Sequence, residues 1–250
     1  MVYRVEKIAP HANSGVPKGV QIERMFDEIA GRYDLLNHAL SLGIDRYWRR
    51  KGVMALKDLA PQRILDVATG TGDLAMEACR LLHPEKVLAV DLSEKMMRIG
   101  REKAARAGLS GTIDFQRQDG AALQLATASF DAAVMAFGIR NFEDMDAGLR
   151  EIYRTLRPGG KLMILELSTP EHFPLKQAYL IYSRIIPLVG QCIARNRAAY
   201  RYLPKSVGAF PQNGKMADIL RKNGFSEVSY QKLSAGICTL YLGKKVEENN

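Results

Sequence analysis

Ile64-Leu65-Asp66-Val67-Ala68-Thr69-Gly70-Thr71-Gly72-Asp73 decides the fold, because an apolar run carrying one acid breaks into two glycines separated by a single residue. The pattern reads as a buried strand that ends in a ligand-binding turn. Glycine tolerates positive φ and leaves no Cβ between backbone and ligand, so Gly70 and Gly72 suit a tight turn against which a cofactor can lie. Leu74 to Leu82 then has a helical pattern. The free N–H groups and positive dipole end of such a helix would face the bound molecule.

Working outward, Lys86-Val87-Leu88-Ala89-Val90-Asp91 is a second strand that ends in an acid. Asp91 stands about twenty residues past the glycines, the spacing of a ribose-binding carboxylate in a βαβ unit. NAD and S-adenosylmethionine share that ribose, so the pair specifies a nucleoside and not which one. Gly70-Thr71-Gly72-Asp73-Leu74-Ala75 also fits the G-x-G-x-x-A form of the dinucleotide fingerprint, which keeps NAD open. A plain glycine turn in an α/β crossover stays open too. Asp66 inside the first strand, and the lack of a glycine stretch long enough to cradle a pyrophosphate, favour S-adenosylmethionine.

Periodicity places further strands at 111–117, 130–137 and 161–167, after those at 63–68 and 86–91, with helical or turn segments between them. Such alternation implies a parallel sheet. A helix over 143–156 should stop at Arg157-Pro158-Gly159-Gly160, where proline and paired glycines turn the chain. A last helix at 214–223 and a pair of strands at 225–233 and 237–243 close the fold and add an antiparallel strand. Ahead of the sheet, Ile22, Met25, Phe26, Ile29, Tyr33 and Leu36 recur at helical spacing, so one helix or two short ones should cover 21–40, with another over 45–59. The expected organisation is a flexible leader at 1–20, a helical lid at 21–60, one α/β domain at 61–243 with a helical insertion at 170–212, and a polar tail at 244–250.

Composition narrows the class. A chain of 250 residues with 47% hydrophobic content can bury one full core. The net charge of +9 suits phosphate-rich partners, nucleic acid or an anionic membrane surface, without choosing between them. Cys79, Cys192 and Cys238 are far apart and have no ligand spacing, which argues against a metal site and a disulfide framework. Without a secretory signal or an apolar run of about 18 residues, the chain is expected in the cytoplasm, with contact at the inner face of the membrane as an extension of that reading.

Two stretches outside the turn carry a resemblance. The first runs from Tyr33-Asp34-Leu35-Leu36-Asn37-His38 through Ser41 and Asp45 to Trp48. The second is Arg154-Thr155-Leu156-Arg157-Pro158-Gly159-Gly160-Lys161-Leu162-Met163-Ile164-Leu165-Glu166-Leu167-Ser168, and Ala136-Phe137-Gly138-Ile139-Arg140-Asn141 is a third match. In these the chain resembles the ubiquinone/menaquinone biosynthesis C-methyltransferases, from about Phe26 to Gly243. It departs from the family pattern with Leu36 for methionine, Asp45 where histidine is common, Gly120 for alanine, and Ala136 where some members place a cofactor-contacting serine.

The resemblance implies a class I S-adenosylmethionine-dependent methyltransferase, an α/β Rossmann-like fold with a seven-stranded, mostly parallel sheet and an antiparallel C-terminal strand. The cofactor side would comprise Asp66, Gly70, Thr71 and Gly72, with Asp91 at the ribose and Asp119-Gly120 at the adenine edge. The implied reaction is C-methylation of a lipophilic polyprenyl quinol, with demethylmenaquinol as the leading acceptor and the benzoquinol of the ubiquinone pathway as the alternative.

A ring carbon is a poor nucleophile until an attached hydroxyl ionises, and a phenol of pKa about 10 needs a base, a cation or both at neutral pH. Arg140, just past the fourth strand, is the expected cation; its competing reading is a surface arginine paired with Glu143 or Asp144. Asp34 and Asp45 are candidates for base or base-holder. Tyr33 and Asn37 are candidates for orienting the substrate ring or the methionine carboxylate, with Asn141 also a substrate-side candidate, and Tyr33 reads equally as a packed helix residue. His38 and His172 read as surface or capping residues.

Leu175 to Ile193 is apolar, broken by Arg184 and Pro187, and fits a membrane-touching cover over an isoprenoid tunnel as well as a core or homodimer helix. Arg46, Arg49, Arg50 and Lys51 could favour anionic lipid or form a solvated helix face. Two other classes compete. An RNA or other small-molecule methyltransferase is disfavoured because no stacking-aromatic array accompanies the charge. A silent scaffold that binds the cofactor without turnover shares every cofactor residue.

Overall fold

In the computed structural model, residues 2–11, 14–179, 181 and 197–247 are described. Seven strands form one sheet in the order β3-β2-β1-β4-β5-β7-β6. They are β1 (Arg63–Val67), β2 (Lys86–Asp91), β3 (Ile113–Arg117), β4 (Phe130–Ala136), β5 (Leu156–Leu167), β6 (Ser226–Leu233) and β7 (Cys238–Lys244). Neighbours from β3 to β5 pair in parallel, and β7 lies antiparallel to both β5 and β6. Strand order reverses between β1 and β4. That switch point, at the carboxyl ends of the strands, is where open α/β sheets bind ligands.

Helix α1 (Lys18–Ile29), α2 (Tyr33–Leu40) and α3 (Ile44–Met54) precede the sheet. Within it run α4 (Asp73–Leu82), α5 (Glu94–Arg106), α6 (Met145–Thr155), α7 (Arg197–Ala209) and α8 (Gly214–Lys222). Adjacent strand residues point to opposite faces, and both faces are covered, as a parallel sheet requires. Leu162 and Ile164 join Leu65, Met145 and Leu149 in one core cluster, while Met163 and Leu165 join Ile64, Trp48 and Leu74 in the other. A third, smaller cluster packs Ile22, Met25, Ile29 and Leu36 of the first helices against Ala199, Tyr200 and Tyr202 of α7. The lid is therefore closed by the insertion as well as by the sheet.

Three sequence expectations change. The turn expected at 157–160 falls inside a strand instead of ahead of it: α6 ends at Thr155, β5 begins at Leu156 opposite Phe130, and the chain then runs from Leu156 to Lys161 while β4 advances from Phe130 to Ala132. Gly159 has φ +76°, and a Cβ on Gly160 would lie 3.0 Å from the Asp131 carbonyl oxygen, so these glycines form a bulge inside the strand.

The leader is not loose. Val5 is buried in the main core, the Tyr3 hydroxyl donates to Asp146 at 2.9 Å, and the Lys18 ammonium donates to the carbonyls of Val5, Arg140 and Phe142. Arg49 is not part of an exposed basic face either; it is buried against Asp45 and Asp73. Of the expected membrane-touching segment, 180 and 182–193 lie outside the described residues. No helix among the described residues is long and apolar enough to cross a membrane.

Candidate active site

The turn after β1 is shaped from behind. Gly70 and Gly72 have φ +57° and +78°, and a Cβ on Gly72 would lie 2.9 Å from the Phe115 ring. Asp91 closes the turn from the end of β2, accepting from the Gly70 N–H at 2.8 Å and the Ser93 N–H at 2.9 Å. Beneath it, Asp66 accepts from the Thr69 hydroxyl at 2.6 Å. Burial pushes the Asp66 carboxyl up to about 7, against the opposing pull of that hydrogen bond.

A cavity of about 110 Å³ opens over this turn, walled by Gly70, Asp91, Asp119 and Gly120 together with Val67, Met96 and Phe142. A Cβ on Gly120 would sit 2.6 Å from the Phe142 ring, which explains a glycine there in place of alanine. Asp66, Thr71 and Gly72 do not line the cavity. Sequence reasoning grouped them with the contact residues, but the Thr71 hydroxyl is committed to Asp34 at 2.5 Å, Asp66 lies below the turn, and Gly72 starts α4. Two carboxylates and a bare glycine backbone fit an adenosine: acceptors for ribose hydroxyls and an exocyclic amine, and close approach at Gly70.

A second, larger cavity of about 350 Å³ lies between the lid, α7 and the sheet edge. Its walls are mostly apolar, with Asn37, Ser41, Asp45, Arg49 and Arg140 as the polar exceptions outside the tyrosines. Phe26, Tyr33 and Phe137 line both cavities, and Phe26 meets Tyr33 edge to face at 5.8 Å between centroids. The two spaces thus share an aromatic partition.

Arg140 is 6% exposed and pairs neither with Glu143 nor with Asp144. Its Nη1 donates to Glu166 Oε1 at 2.6 Å and to the Phe137 carbonyl at 2.6 Å, while its buried Nε has no acceptor among the described residues. Desolvation works against the guanidinium's charge, but Glu166, with Tyr202 and Tyr33, outweighs it and holds the group protonated. Burial likewise raises Tyr33 and keeps its phenol neutral.

The two carboxylate candidates are both engaged. Although burial acts to raise it, Ser41, His38 and Arg49 hold the Asp45 carboxyl down at about 2. A group so acidic is a poor base at neutral pH; Asp45 instead engages His38 Nδ1 at 2.9 Å, and His38 lines neither cavity. Asp34 accepts from Thr71 and from Lys103 Nζ at 2.7 Å and lines neither cavity. Asn37 lines the large cavity as expected of a substrate-side residue. Asn141 does not; it lines the small one, where its Oδ1 accepts from the Tyr202 hydroxyl at 3.0 Å.

Sequence reasoning missed Glu166, Tyr202 and Lys18 as site-building residues. An acid inside an otherwise apolar strand was a readable signal for Glu166, since buried carboxylates are rarely unpaired. Nothing in the sequence pointed to Tyr202, whose partner is sixty-one positions away.

Residues 15–245 match the ubiE/COQ5 methyltransferase family. The chain belongs to that family. The demethylmenaquinone methyltransferase of Bacteroides fragilis is 53% identical over 246 residues, covering 98% of this chain and 100% of the relative. The ubiquinone/menaquinone biosynthesis C-methyltransferase UbiE of Geotalea daltonii is 42% identical over 230 residues, covering 91% and 97%.

Among solved structures, a SAM-dependent methyltransferase of Thermotoga maritima superposes with a TM-score of 0.61 at 21% identity, covering 90% of this chain and 99% of that one. The [4+2]-cyclase SpnF reaches a TM-score of 0.67 at 18% identity, covering 93% and 97%. At such identities the likeness shows the fold alone, and a cyclase among the neighbours illustrates why. Family membership resolves the choice that the turn left open: the chain is an S-adenosylmethionine-dependent C-methyltransferase.

Proposed function

We propose that this enzyme methylates a ring carbon of a polyprenyl naphthoquinol, converting demethylmenaquinol to menaquinol. One observation carries the reading: a cavity of about 110 Å³ that holds Asp91, Asp119 and the Gly70 backbone meets a larger, mostly apolar cavity of about 350 Å³ at the partition of Phe26, Tyr33 and Phe137, with the buried Arg140 on the apolar side. The names of the Bacteroides fragilis and Geotalea daltonii relatives support a quinone acceptor.

S-adenosylmethionine, when bound, supplies a methyl group on a positively charged sulfur. Asp91 and Asp119 would accept its ribose hydroxyls and adenine amine, and the Gly70 backbone lets it lie close. The aromatic partition excludes water from the junction and offers π faces to positive charge. On the other side, Arg140 favours the ionised form of the ring hydroxyl. A full unit charge at about 4 Å with an effective dielectric near 20 is worth about 4 kcal/mol, roughly three pKa units. That is the upper bound for a cation whose charge Glu166 shares, and it works against the rise that burial imposes on a phenol, as it does on Tyr33. Ionisation enriches the neighbouring ring carbon in electron density, the condition for C-alkylation. Asp45 is the one acid lining the large cavity among the described residues and is held too acidic to act as base. Arg140, already protonated, takes no proton and only stabilises the oxyanion, so the hydroxyl proton would pass to water and the methylated ring carbon would lose its hydrogen as a proton to water to restore the aromatic ring. Asn37, which lines the large cavity, would orient the ring.

The isoprenoid tail would run toward Leu42, Ile44 and Leu175, which line the cavity and are 86%, 40% and 43% exposed. Exposed Arg46, Arg50 and Lys51 accompany that apolar rim on or beside α3, a combination suited to the surface of an anionic bilayer. The test is incubation of purified protein with methyl-labelled S-adenosylmethionine and either reduced demethylmenaquinone or the benzoquinol analogue. Label in the naphthoquinol ring is expected. Label only in the benzoquinol, or in neither, overturns the assignment.

A further inference from the structure

We propose that Glu166 is the positioning residue for Arg140: it fixes which edge of the guanidinium faces substrate and tempers the charge that the substrate hydroxyl feels. The proposal rests on the assignment of that hydroxyl to Arg140. Glu166 sits near the end of β5 and is 0% exposed. Its Oε1 accepts from Arg140 Nη1 at 2.6 Å and from the Leu167 N–H at 2.8 Å, and its Oε2 lies 3.4 Å from the Arg140 backbone nitrogen.

The contact is thus made to side chain and main chain of the same residue. Lys18 adds a third hold, donating to the Arg140 carbonyl at 3.2 Å. With the Phe137 carbonyl also engaged, both N–H groups of Nη1 are used. The guanidinium is a rigid planar fork, so fixing one nitrogen fixes the plane. Nε is itself buried, with no acceptor among the described residues, so Nη2 is the donor left to meet a ligand in the large cavity that Arg140 lines.

A buried ion pair is a weak source of stability, since apolar groups of similar volume often serve as well. The cost of burying it is accounted for when the pair exists to present a free, preorganised donor to a substrate oxygen. Glu166 also shares Arg140's charge. With the carboxylate present, the substrate hydroxyl meets part of a positive charge; without it, the hydroxyl meets the whole.

Glu166→Gln separates this role from a structural one, because it keeps shape and one acceptor while removing the charge. Turnover should fall at least ~10-fold with S-adenosylmethionine affinity within ~2-fold, and the acidic limb of the kcat profile should move down by about half a pH unit or more. Glu166→Asp, which keeps the charge, should leave that limb in place. The Arg140→Gln/Glu166→Gln double variant should be no slower than Arg140→Gln alone, since Glu166 acts through Arg140.

A second readout does not depend on turnover. The pKa of bound 1-naphthol, followed by its naphtholate absorbance, should be lower than in water, and lower again in Glu166→Gln. If Glu166→Gln does not fold, the charge-neutral double variant and Glu166→Asp test the same points. Multiplicative losses in the double variant, or unmoved naphthol and kcat titrations in Glu166→Gln, overturn the proposal. A naphthol shift in a protein that does not methylate demethylmenaquinol would instead overturn the substrate assignment and leave Glu166's role standing.

Discussion

The two cavities differ in how they are made. The small one is built mostly from strand ends and the loops that follow them, at Gly70, Asp91, the Gln118–Gly120 stretch and the turn after β4, on four adjacent parallel strands, with α1 and the start of α2 over it. The large one is gathered from Met25 through Ile237: three lid helices, the turn after β4, the insertion and the hairpin. The first holds polar groups against backbone; the second is apolar apart from a few guided charges. Local construction makes a cavity that recognises a common cofactor, whereas assembly from distant pieces makes one that can be shaped to a particular acceptor.

If the division is real, variants on each side should separate binding from turnover. The largest effect is expected for Arg140→Ala, which should lower kcat by ~100- to 1,000-fold, the loss seen when one preorganised charge-stabilising group is removed. S-adenosylmethionine affinity, read by calorimetry on folded protein, should change less than ~2-fold; equal losses in both would erase the division at this residue. On the other side, Asp91→Ala should weaken S-adenosylmethionine by ~30- to 100-fold, about 2–3 kcal/mol for lost hydrogen bonds to a charged acceptor. Retention of 1-naphthol binding in that variant would sharpen the contrast, and its loss would break it.

Acid should act on the two sides with opposite sign. Asp45 is held below its unfolded value, so its contribution is complete above about pH 4 and is lost as pH falls through about 2. The loss is about 2 kcal/mol, and Asp45→Asn should abolish this part of the acid dependence. Trp48, the single tryptophan and buried in the lid, reports on it by fluorescence. Asp66 runs the other way: raised by burial, it favours the fold most below its unfolded value and loses that contribution as pH rises through about 7. Asp66→Asn should therefore flatten stability between about pH 4 and 7, and a stability curve that keeps its slope there would discount the burial argument.

The smallest effect concerns the link between the cavities. Tyr202 lines the large one while its hydroxyl bonds Asn141 in the small one. Tyr202→Phe should cost about 1 kcal/mol, or ~5-fold, in S-adenosylmethionine affinity. An unchanged dissociation constant would mean that the two sides are independent at this point.

Much of this was readable beforehand, and the residues show why. The strand–glycine–acid pattern at Asp66 to Asp91 is local, and six of the seven strands fall within two residues of their expected bounds. β5 extends further, because Pro158-Gly159-Gly160 form a bulge where punctuation in sequence reads as a turn. The leader misled for a similar reason: prolines and glycines suggested looseness, while Val5 and Lys18 pack against segments more than a hundred positions away. Arg140 was singled out from its place just past the fourth strand, and it lines the large cavity, but its partner was not recognisable. Sequence proximity suggested Glu143 or Asp144, whereas β4 and β5 lie side by side and bring Glu166 to it.

By itself the sequence determined the fold class and the nucleoside-binding edge, because these rest on short-range patterns of apolar runs, glycines and acids at strand ends, while the family followed from the resemblance carried by the stretches at 33–48, 136–141 and 154–168. Only the tertiary structure decided which of the named residues face a ligand. Asp66, Thr71 and Asp34 were turned into supports, Asp45 was made too acidic to be a base, Asn141 moved to the cofactor side, and Glu166 was set behind Arg140. The physical reason is that a side chain's charge state and free hydrogen-bonding edge depend on what surrounds it in space, and packing brings those neighbours from across the chain.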